Sequence, residues 1–473
     1  MLLTIDIGTS VFKSAVWNFD GNRLAFAAVP VTALPSDGMR HEADSGQWLR
    51  AFAACCQALS SSVALADVKA VVISGNGPSL SPVLGKPECS AHGLYLKTAP
   101  VRLWLDRRAE DAAKEISSLS VSFVDPGFFL PKALAIKNNE PELYEQTRLF
   151  LGCPELLAYT LTGEARTVFP AEGFDRWFWN SALLESLKLD AEKFPRFIRP
   201  MEIFGGLLPS VAGRFGFAPD IPVISGGPDF IAAILGSGVI RPGQACDRAG
   251  SSEGINVCTE QRIDDARLMS YGHPVKPYWN LSGIISTTGR AFEWAMCLLG
   301  LKSHDEFFAL AESGRECGKS PVFLPYLAGE RAPVWNPQAL AVMRNLSLST
   351  GRAEFARAIL EGCCFAIQDV ILVMEEAGAE ISELRVAGSA AGINILNRIK
   401  ADISGREILI PVQKETELLG LLIAGACALG EYSSVSEAAS VLVHIESRIQ
   451  PDEKKADYYA GLFEVYKKMR NEE

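Results

Sequence analysis

A strand–turn–strand unit with glycine and hydroxyl residues at its tip occurs twice in this chain, once in each half. It constrains the fold more than any other feature. The first copy is Ile5-Asp6-Ile7-Gly8-Thr9-Ser10, followed by an apolar stretch to Val16. The second runs over residues 244–249, turns through Gly250-Ser251-Ser252-Glu253-Gly254 and continues over residues 255–258. Short apolar runs separated by such turn residues read as hairpins. One hairpin per half suggests a duplicated domain. At 473 residues the chain is too long for one ordinary core and suits two domains of roughly 200 residues or more. They are expected at 1–240 and 241–473.

The elements around the hairpins alternate in type. Residues 2–7, 12–19 and 24–31 read as strands, with a turn at Asp20-Gly21. A helical pattern over 47–60 and a short buried strand over 69–74 follow. Further on, residues 223–225 form a brief strand and Gly226-Gly227-Pro228 a turn. A helix then begins near Phe230 with Asp229 at its entrance. Residues 352–376 predict a long helix, 383–387 a strand, 392–403 another helix and 458–469 a closing helix. The succession predicts a mixed α/β protein with helix-covered sheets.

Charge and cysteine usage exclude several classes of function. A net charge of −11 argues against a nucleic-acid partner, because phosphate backbones need clustered Lys and Arg. The start, MLLTIDIGTS, carries no basic region, so it is not read as a signal peptide. Residues 418–429 are apolar but only about half the length that spans a bilayer, which predicts a buried helix and no membrane partner. The eleven cysteines form no CxxC pair and are expected to be small buried hydrophobes in a reducing cytoplasm. The five histidines show no ligand spacing.

Several residues have the chemistry for phosphate and metal. The Gly8-Thr9-Ser10 turn offers backbone N–H groups and hydroxyls to phosphate oxygens, and Gly250-Ser251 repeats the offer. Asp6 is a candidate Mg²⁺ ligand, directly or through water. Lys13 is a candidate phosphate contact as a point charge. Asp229, between a strand end and a helix start, is the candidate general base, with an ordinary helix N-cap as the alternative. Trp104, in Trp104-Leu105-Asp106-Arg107, offers a face for a sugar ring, with a half-buried structural Trp as the alternative. Pro325 to Pro333, PYLAGERAP, reads as a loop with charges at Glu330 and Arg331. Neither turn fits the P-loop pattern.

Taken in order, these segments resemble the FGGY carbohydrate kinases over nearly the whole chain. IDIGTSVFK is similar to the first phosphate loop of the family. DGMRHEADSGQW (with Glu42 and Trp48), LWLDRRAED, LPKALAIKNNEPELY, GGPDFIAAILGSGVIRPG and FLPYLAGERAPVWNP resemble its further motifs. The resemblance implies two actin-like, ribonuclease-H-like domains with an interdomain cleft for ATP·Mg²⁺ and the sugar. It implies Asp229 as general base and Asp6 near the metal. Thr9, Ser10, Lys13, Gly250 and Ser251 would lie on phosphates, with Gly289 and Gly388 lining the nucleotide pocket. Asn76, Trp104 and Asp229 would lie on the sugar. The family implies a small sugar or polyol as substrate, with a ketopentose such as xylulose first in line, and it leaves a homodimer open. An actin-like ATP-binding regulatory or assembly protein without sugar kinase activity is the alternative. Departures from the pattern concentrate near the acceptor. Gly75-Asn76-Gly77-Pro78 stands where Gly-Gln-Met-His is common, and Phe230 stands where Asn or Gln is common. Ser251 replaces the usual Thr, and Ala387-Gly388-Ser389 a run of glycines.

Overall fold

The strand Leu2–Ile7 is buried at all six positions, a pattern expected of a central strand covered on both faces. The computed structural model, which describes residues 1–119, 124–315 and 319–472, gives it that place. It pairs antiparallel with Val11–Trp17 and parallel with Ala70–Gly75. The whole sheet has six strands. Arg23–Pro30 lies at one edge, followed by Val11–Trp17, Leu2–Ile7, Ala70–Gly75, Pro222–Ser225 and Ile203–Gly206. Three meandering antiparallel strands continued by parallel ones form the ribonuclease-H-like core. Arg23–Pro30 is largely exposed and begins with Arg23, as suits an edge.

The same order recurs later in the chain. Trp279–Ile285, Glu253–Thr259 and Gln244–Ala249 form the antiparallel part. Glu383–Ala387 and Glu407–Pro411 continue in parallel. Met269–Gly272 and Ile445–Ile449 complete seven strands at the two edges. The fold is α/β, with one actin-like sheet in each unit.

Each sheet is covered according to its side-chain alternation. In the first unit Leu3, Ile5, Ile7, Val71, Ile73 and Val223 share a core with helices Gly46–Leu59 and Cys153–Thr162. Leu2, Thr4 and Asp6 project to the other face, as period-two geometry requires. That face is covered from a distant part of the chain. Met1–Gly236 and Glu417–Leu442 form the first unit, while Ser237–Thr416 and Val443–Glu473 form the second. The single division expected at 240/241 therefore omits a return of the chain. Helix Thr416–Ala428 is the predicted buried helix, and its glycines explain where it packs. A Cβ at Gly425 would stand 2.5 Å from Val72 Cγ2, and one at Gly420 only 1.8 Å from the Ala232 carbonyl oxygen. The helix thus lies against the sheet and against helix Asp229–Gly236 at backbone distance.

In the second unit the 25-residue helix Arg352–Glu376 is buried along most of its length. The closing helix Ala456–Arg470 packs against it, with Arg357 donating to Glu361 at 2.7 Å and to Tyr459 Oη at 3.2 Å. Among the described residues no helix is long and apolar enough to cross a membrane.

The close approach at Gly420 has a measurable consequence. Gly420→Ala should lower stability by about 1–3 kcal/mol through overpacking, read as a lower Tm. A Cβ at Gly213, in helix Pro209–Phe215, would have nothing within 4 Å of it, so Gly213→Ala should leave Tm unchanged or raise it. Equal effects of the two substitutions would contradict this packing.

Candidate active site

The first group of candidate residues gathers at the C-terminal ends of parallel strands in the first unit. Asp6 is in register with Lys13 on one neighbour and with Ser74 on the other, so the three side chains share a face. Asp6 is 8% exposed and Lys13 is half-buried. The turn that follows is tight: Gly8 N–H donates to the Val11 carbonyl at 3.1 Å. A Cβ at Gly8 would stand 2.6 Å from that same oxygen. Thr9 is half-buried and Ser10 exposed, which leaves this turn open to a ligand.

The loop carrying Asp229 is tied to the same strand ends. Gly226 N–H donates to the Ile73 carbonyl at 2.8 Å, and Ser74 Oγ donates to the Gly227 carbonyl at 2.7 Å. Gly227 has φ +78°, a conformation that favours glycine. Asp229 is the first residue of its helix and is half-buried. The residue before the helix is Pro228, whose carbonyl accepts from Ile231 at 3.0 Å and Ala232 at 3.3 Å. The capping position is therefore that of Pro228. Asp6 and Asp229 also bear on one buried thiol. Burial pushes the Cys153 thiol well up, and the charges of Glu155, Asp6 and Asp229 add to the effect. Sequence reasoning did not single out Cys153, because Asp6, Asn76 and Asp229 are distant from it in the chain.

The candidate sugar residues are placed differently from one another. Trp104 is half-buried and donates from Nε1 to Thr9 Oγ1 at 3.4 Å, which joins it to the first turn. Asn76 is 4% exposed, and its amide is engaged within the protein. Nδ2 donates to the Ile7 carbonyl at 2.9 Å, and Oδ1 accepts from Ser79 Oγ at 2.6 Å. These bonds brace the loop on which the sequence placed a substrate contact. Phe230 stacks on Phe174 with ring centroids 6.0 Å apart, and Phe174 meets Trp177 edge-on.

The charged motifs pair with one another. Arg108 donates to Asp106 at 2.7 Å and to Glu42 at 2.5 Å. Burial alone would raise the Asp106 carboxyl, but the Arg108 guanidinium and the His41 N–H outweigh it and hold it below its ordinary value.

In the second unit, four candidate nucleotide residues come together. Gly250 and Ser251 are exposed at the hairpin tip, with Gly250 N–H donating to the Ser252 carbonyl at 3.0 Å. Gly289 N–H donates to the Gly250 carbonyl at 3.1 Å, and a Cβ on Gly289 would stand 2.5 Å from it. On the other side a Cβ on Gly388 (φ +80°) would stand 2.5 Å from the Ala249 carbonyl. Two glycines therefore let the start of helix Gly289–Leu299 and the Gly388 turn flank the hairpin at backbone contact. The N–H groups of Thr288, Gly289 and Arg290 all donate to that hairpin. These three N–H groups, like that of Gly250, are thus engaged within the unit.

Residues 1–236 match the family model for "FGGY family of carbohydrate kinases, N-terminal domain", and residues 248–429 match that for the C-terminal domain. The chain belongs to the FGGY family of carbohydrate kinases. This FGGY kinase is 29% identical to the xylulose kinase of Escherichia coli (strain K12) over 423 residues, 86% of each chain. It is 25% identical to a Staphylococcus epidermidis xylulose kinase over 485 residues, covering 98% of this chain and 95% of the relative. Among solved structures, ligand-bound xylulose kinase from Lactobacillus acidophilus superposes with a TM-score of 0.86 at 21% identity, over 100% of this chain and 98% of the other. Gluconate kinase from the same organism gives 0.85 at 22% identity, over 100% and 97%. At these identities the structural likeness speaks for the fold. The family and the sequence relatives make this chain a sugar kinase, with ATP as phosphoryl donor and a small-molecule sugar as acceptor. The actin-like regulator without kinase activity is not favoured.

The PYLAGERAP segment of this FGGY kinase places a carboxyl inside its unit. Glu330 is 3% exposed, and Oε1 accepts from Ser286 N–H at 2.7 Å and Arg331 N–H at 2.8 Å. Burial nonetheless pushes the carboxyl up from 4.5 to about 7. A folded-state value above the unfolded one means that the folded chain holds the proton longer. The cost of ionising the buried group is absent below the unfolded value, grows through the window between the two, and is complete above the folded value. Glu330→Gln keeps an acceptor for both N–H groups without the charge. The Tm of this variant relative to wild type should therefore rise between about pH 4.5 and about pH 7. A difference that stays flat across that window, followed by thermal melts, would count against it.

Proposed function

We propose that this kinase transfers the γ-phosphoryl group of MgATP to a hydroxyl of a small sugar or polyol, with Asp229 as general base. A ketopentose such as xylulose is the first candidate acceptor. The observation that carries the proposal is the convergence of Asp6, Lys13, Ser74 and the Asp229 loop at one end of one sheet. Phosphoryl transfer needs little covalent chemistry from a protein, so positioning and charge dominate. Asp229, half-buried at the start of its helix, would accept the proton of the attacking hydroxyl. Thr9, Ser10 and Lys13 would meet the transferring phosphoryl group. Gly250 and Ser251, exposed at their hairpin, would take phosphate oxygens of the nucleotide, with Gly289 and Gly388 bordering its base and ribose.

Asp6 suits Mg²⁺ as a single carboxylate at a strand end. Among the described residues no three His, Cys, Asp or Glu side chains gather into a metal cage, and Mg²⁺ bound with a nucleotide asks for only one or two carboxylates beside phosphate and water oxygens. When bound, the ion neutralises charge on the phosphates. The ketopentose assignment rests on the xylulose kinases among the relatives. A gluconokinase of Bacillus subtilis, 24% identical over 399 residues, shows that acceptor identity varies within this range of similarity. The ten described cysteines are all free thiols, which fits a cytoplasmic setting.

Two measurements test the proposal. Asp229→Ala should lower kcat by at least about 100-fold, the scale of a lost general base, while the protein keeps its fold by circular dichroism. Near-normal turnover would remove Asp229 from that role. An ADP-release assay over ketopentoses, aldoses, polyols and sugar acids should show a strong response to one class, ketopentoses by expectation. A maximum on sugar acids would reassign the acceptor, and a flat response would overturn the sugar reading.

A further inference from the structure

Lys132 is a fully buried lysine whose ammonium is held by backbone carbonyls. It is 0% exposed in helix Phe129–Asn139. Its Nζ donates to the Leu103 carbonyl at 2.7 Å, the Pro78 carbonyl at 2.8 Å and the Arg102 carbonyl at 3.4 Å. Three donors thus meet three backbone acceptors. A charge buried this way costs free energy unless it is well hydrogen-bonded, so the arrangement fixes those carbonyls firmly. Burial lowers the Lys132 ammonium from its ordinary value to about 7, with the charges of Asp106 and Asp125 acting against it.

The carbonyls belong to two separate segments. Pro78 ends Asn76-Gly77-Pro78, the loop that departs from the usual family residues. Leu103 immediately precedes Trp104, whose indole reaches Thr9. The segments meet each other through Leu80 and Arg102, which exchange backbone hydrogen bonds at 2.8 and 2.9 Å. Beyond that bridge, Lys132 is the side chain that holds both to a helix. The Leu80–Arg102 bridge pairs the two segments directly, and Lys132 Nζ adds a second tie between them, from the Pro78 carbonyl to the Leu103 carbonyl.

We propose that Lys132 is a positioning residue for the acceptor: by clamping the Pro78 and Leu103 carbonyls it sets where Trp104 and the residue 76–78 loop stand. This rests on the reading that those segments face the sugar. The nucleotide turn at Gly250-Ser251 is not among its contacts. Its loss should therefore be felt first on the sugar, because Lys132 reaches the phosphate turn only at second hand, through the 3.4 Å hydrogen bond of Trp104 to Thr9.

The test is a pair of variants, Lys132→Met and Lys132→Gln, assayed by ADP release with the best acceptor of the wild-type protein. Lys132→Met, folded by circular dichroism, should raise the KM for the sugar by about 10-fold or more, since small misplacements of positioning groups are costly. The KM for ATP should stay within about twofold, far from the scale of a misplaced group. Lys132→Gln, which keeps a donor, should fall between wild type and Lys132→Met. If both KM values move together, or neither moves, the positioning role is overturned while the kinase reading stands. If neither variant folds, Lys132 serves the fold as a whole and the narrower role is overturned. If the wild type phosphorylates no sugar of the panel, the acceptor reading fails first and takes this role with it.

Discussion

The placement of the catalytic candidates depends on strand register in the first unit. Leu2–Ile7 pairs with Ala70–Gly75 so that Ile5 meets Ile73 and Asp6 meets Ser74. Pro222–Ser225 joins Ala70–Gly75 with Ser225 opposite Ile73, so the three parallel strands end at nearly the same level. A shift of one residue would turn Asp6 into the core and Ile5 or Ile7 out of it. Burial of these apolar side chains, at roughly 1.5–3 kcal/mol each, opposes that shift. The core thereby fixes where the carboxylate stands, and the Ser74–Gly227 hydrogen bond carries that fix to the Asp229 loop.

The second unit reaches a comparable rigidity with charge. Asp247 and Glu253, on the two strands of the hairpin, both meet Lys400 of helix Asn394–Ser404, the first at 2.6 Å. All three are buried. Burial, with the Asp247 charge beside it, pushes the Glu253 carboxyl well above the usual range. The Lys400 ammonium is the cation that both carboxyl groups share. Breaking such a buried pair costs about 3–5 kcal/mol because the remaining partner stays uncompensated. The strands on either side of Gly250-Ser251 are consequently held to the helix that follows the Gly388 turn. The tip stays exposed while its base is fixed, an arrangement that suits the phosphate contact proposed for it.

Much of this was legible in the sequence, for reasons that differ by element. The two hairpins and the helix Arg352–Glu376 follow from local periodicity and turn chemistry, so they stand where the pattern put them. The gathering of Gly250, Ser251, Gly289 and Gly388 followed from motif order. The return of Glu417–Leu442 to the first unit was not legible, because apolar periodicity predicts that a helix is buried without naming the sheet that buries it. Only the clash distances at Gly420 and Gly425 name it. Lys132 and Cys153 escaped for a similar reason: their partners lie 29 to 54 and 77 residues away. A single lysine within the apolar run Leu130 to Ile136 was the available signal.

The departures from the family pattern acquire a common physical explanation once their neighbours are known. Phe230 replaces a polar side chain and stacks on Phe174, which contacts Trp177, which in turn stacks on Phe128 at 5.6 Å. Aromatic pairs of this kind contribute about 0.5–1.5 kcal/mol beyond area burial. Asn76 replaces a longer amide and bonds to Ile7 and Ser79. In both places the side chain is held by this protein's own packing. Phe230 is held by ring contacts and Asn76 by an amide network. Lys132 reaches the loop of Asn76 through the Pro78 carbonyl, two residues further on. Each substitution thus has a partner in this protein's own packing, whatever it does to a substrate contact.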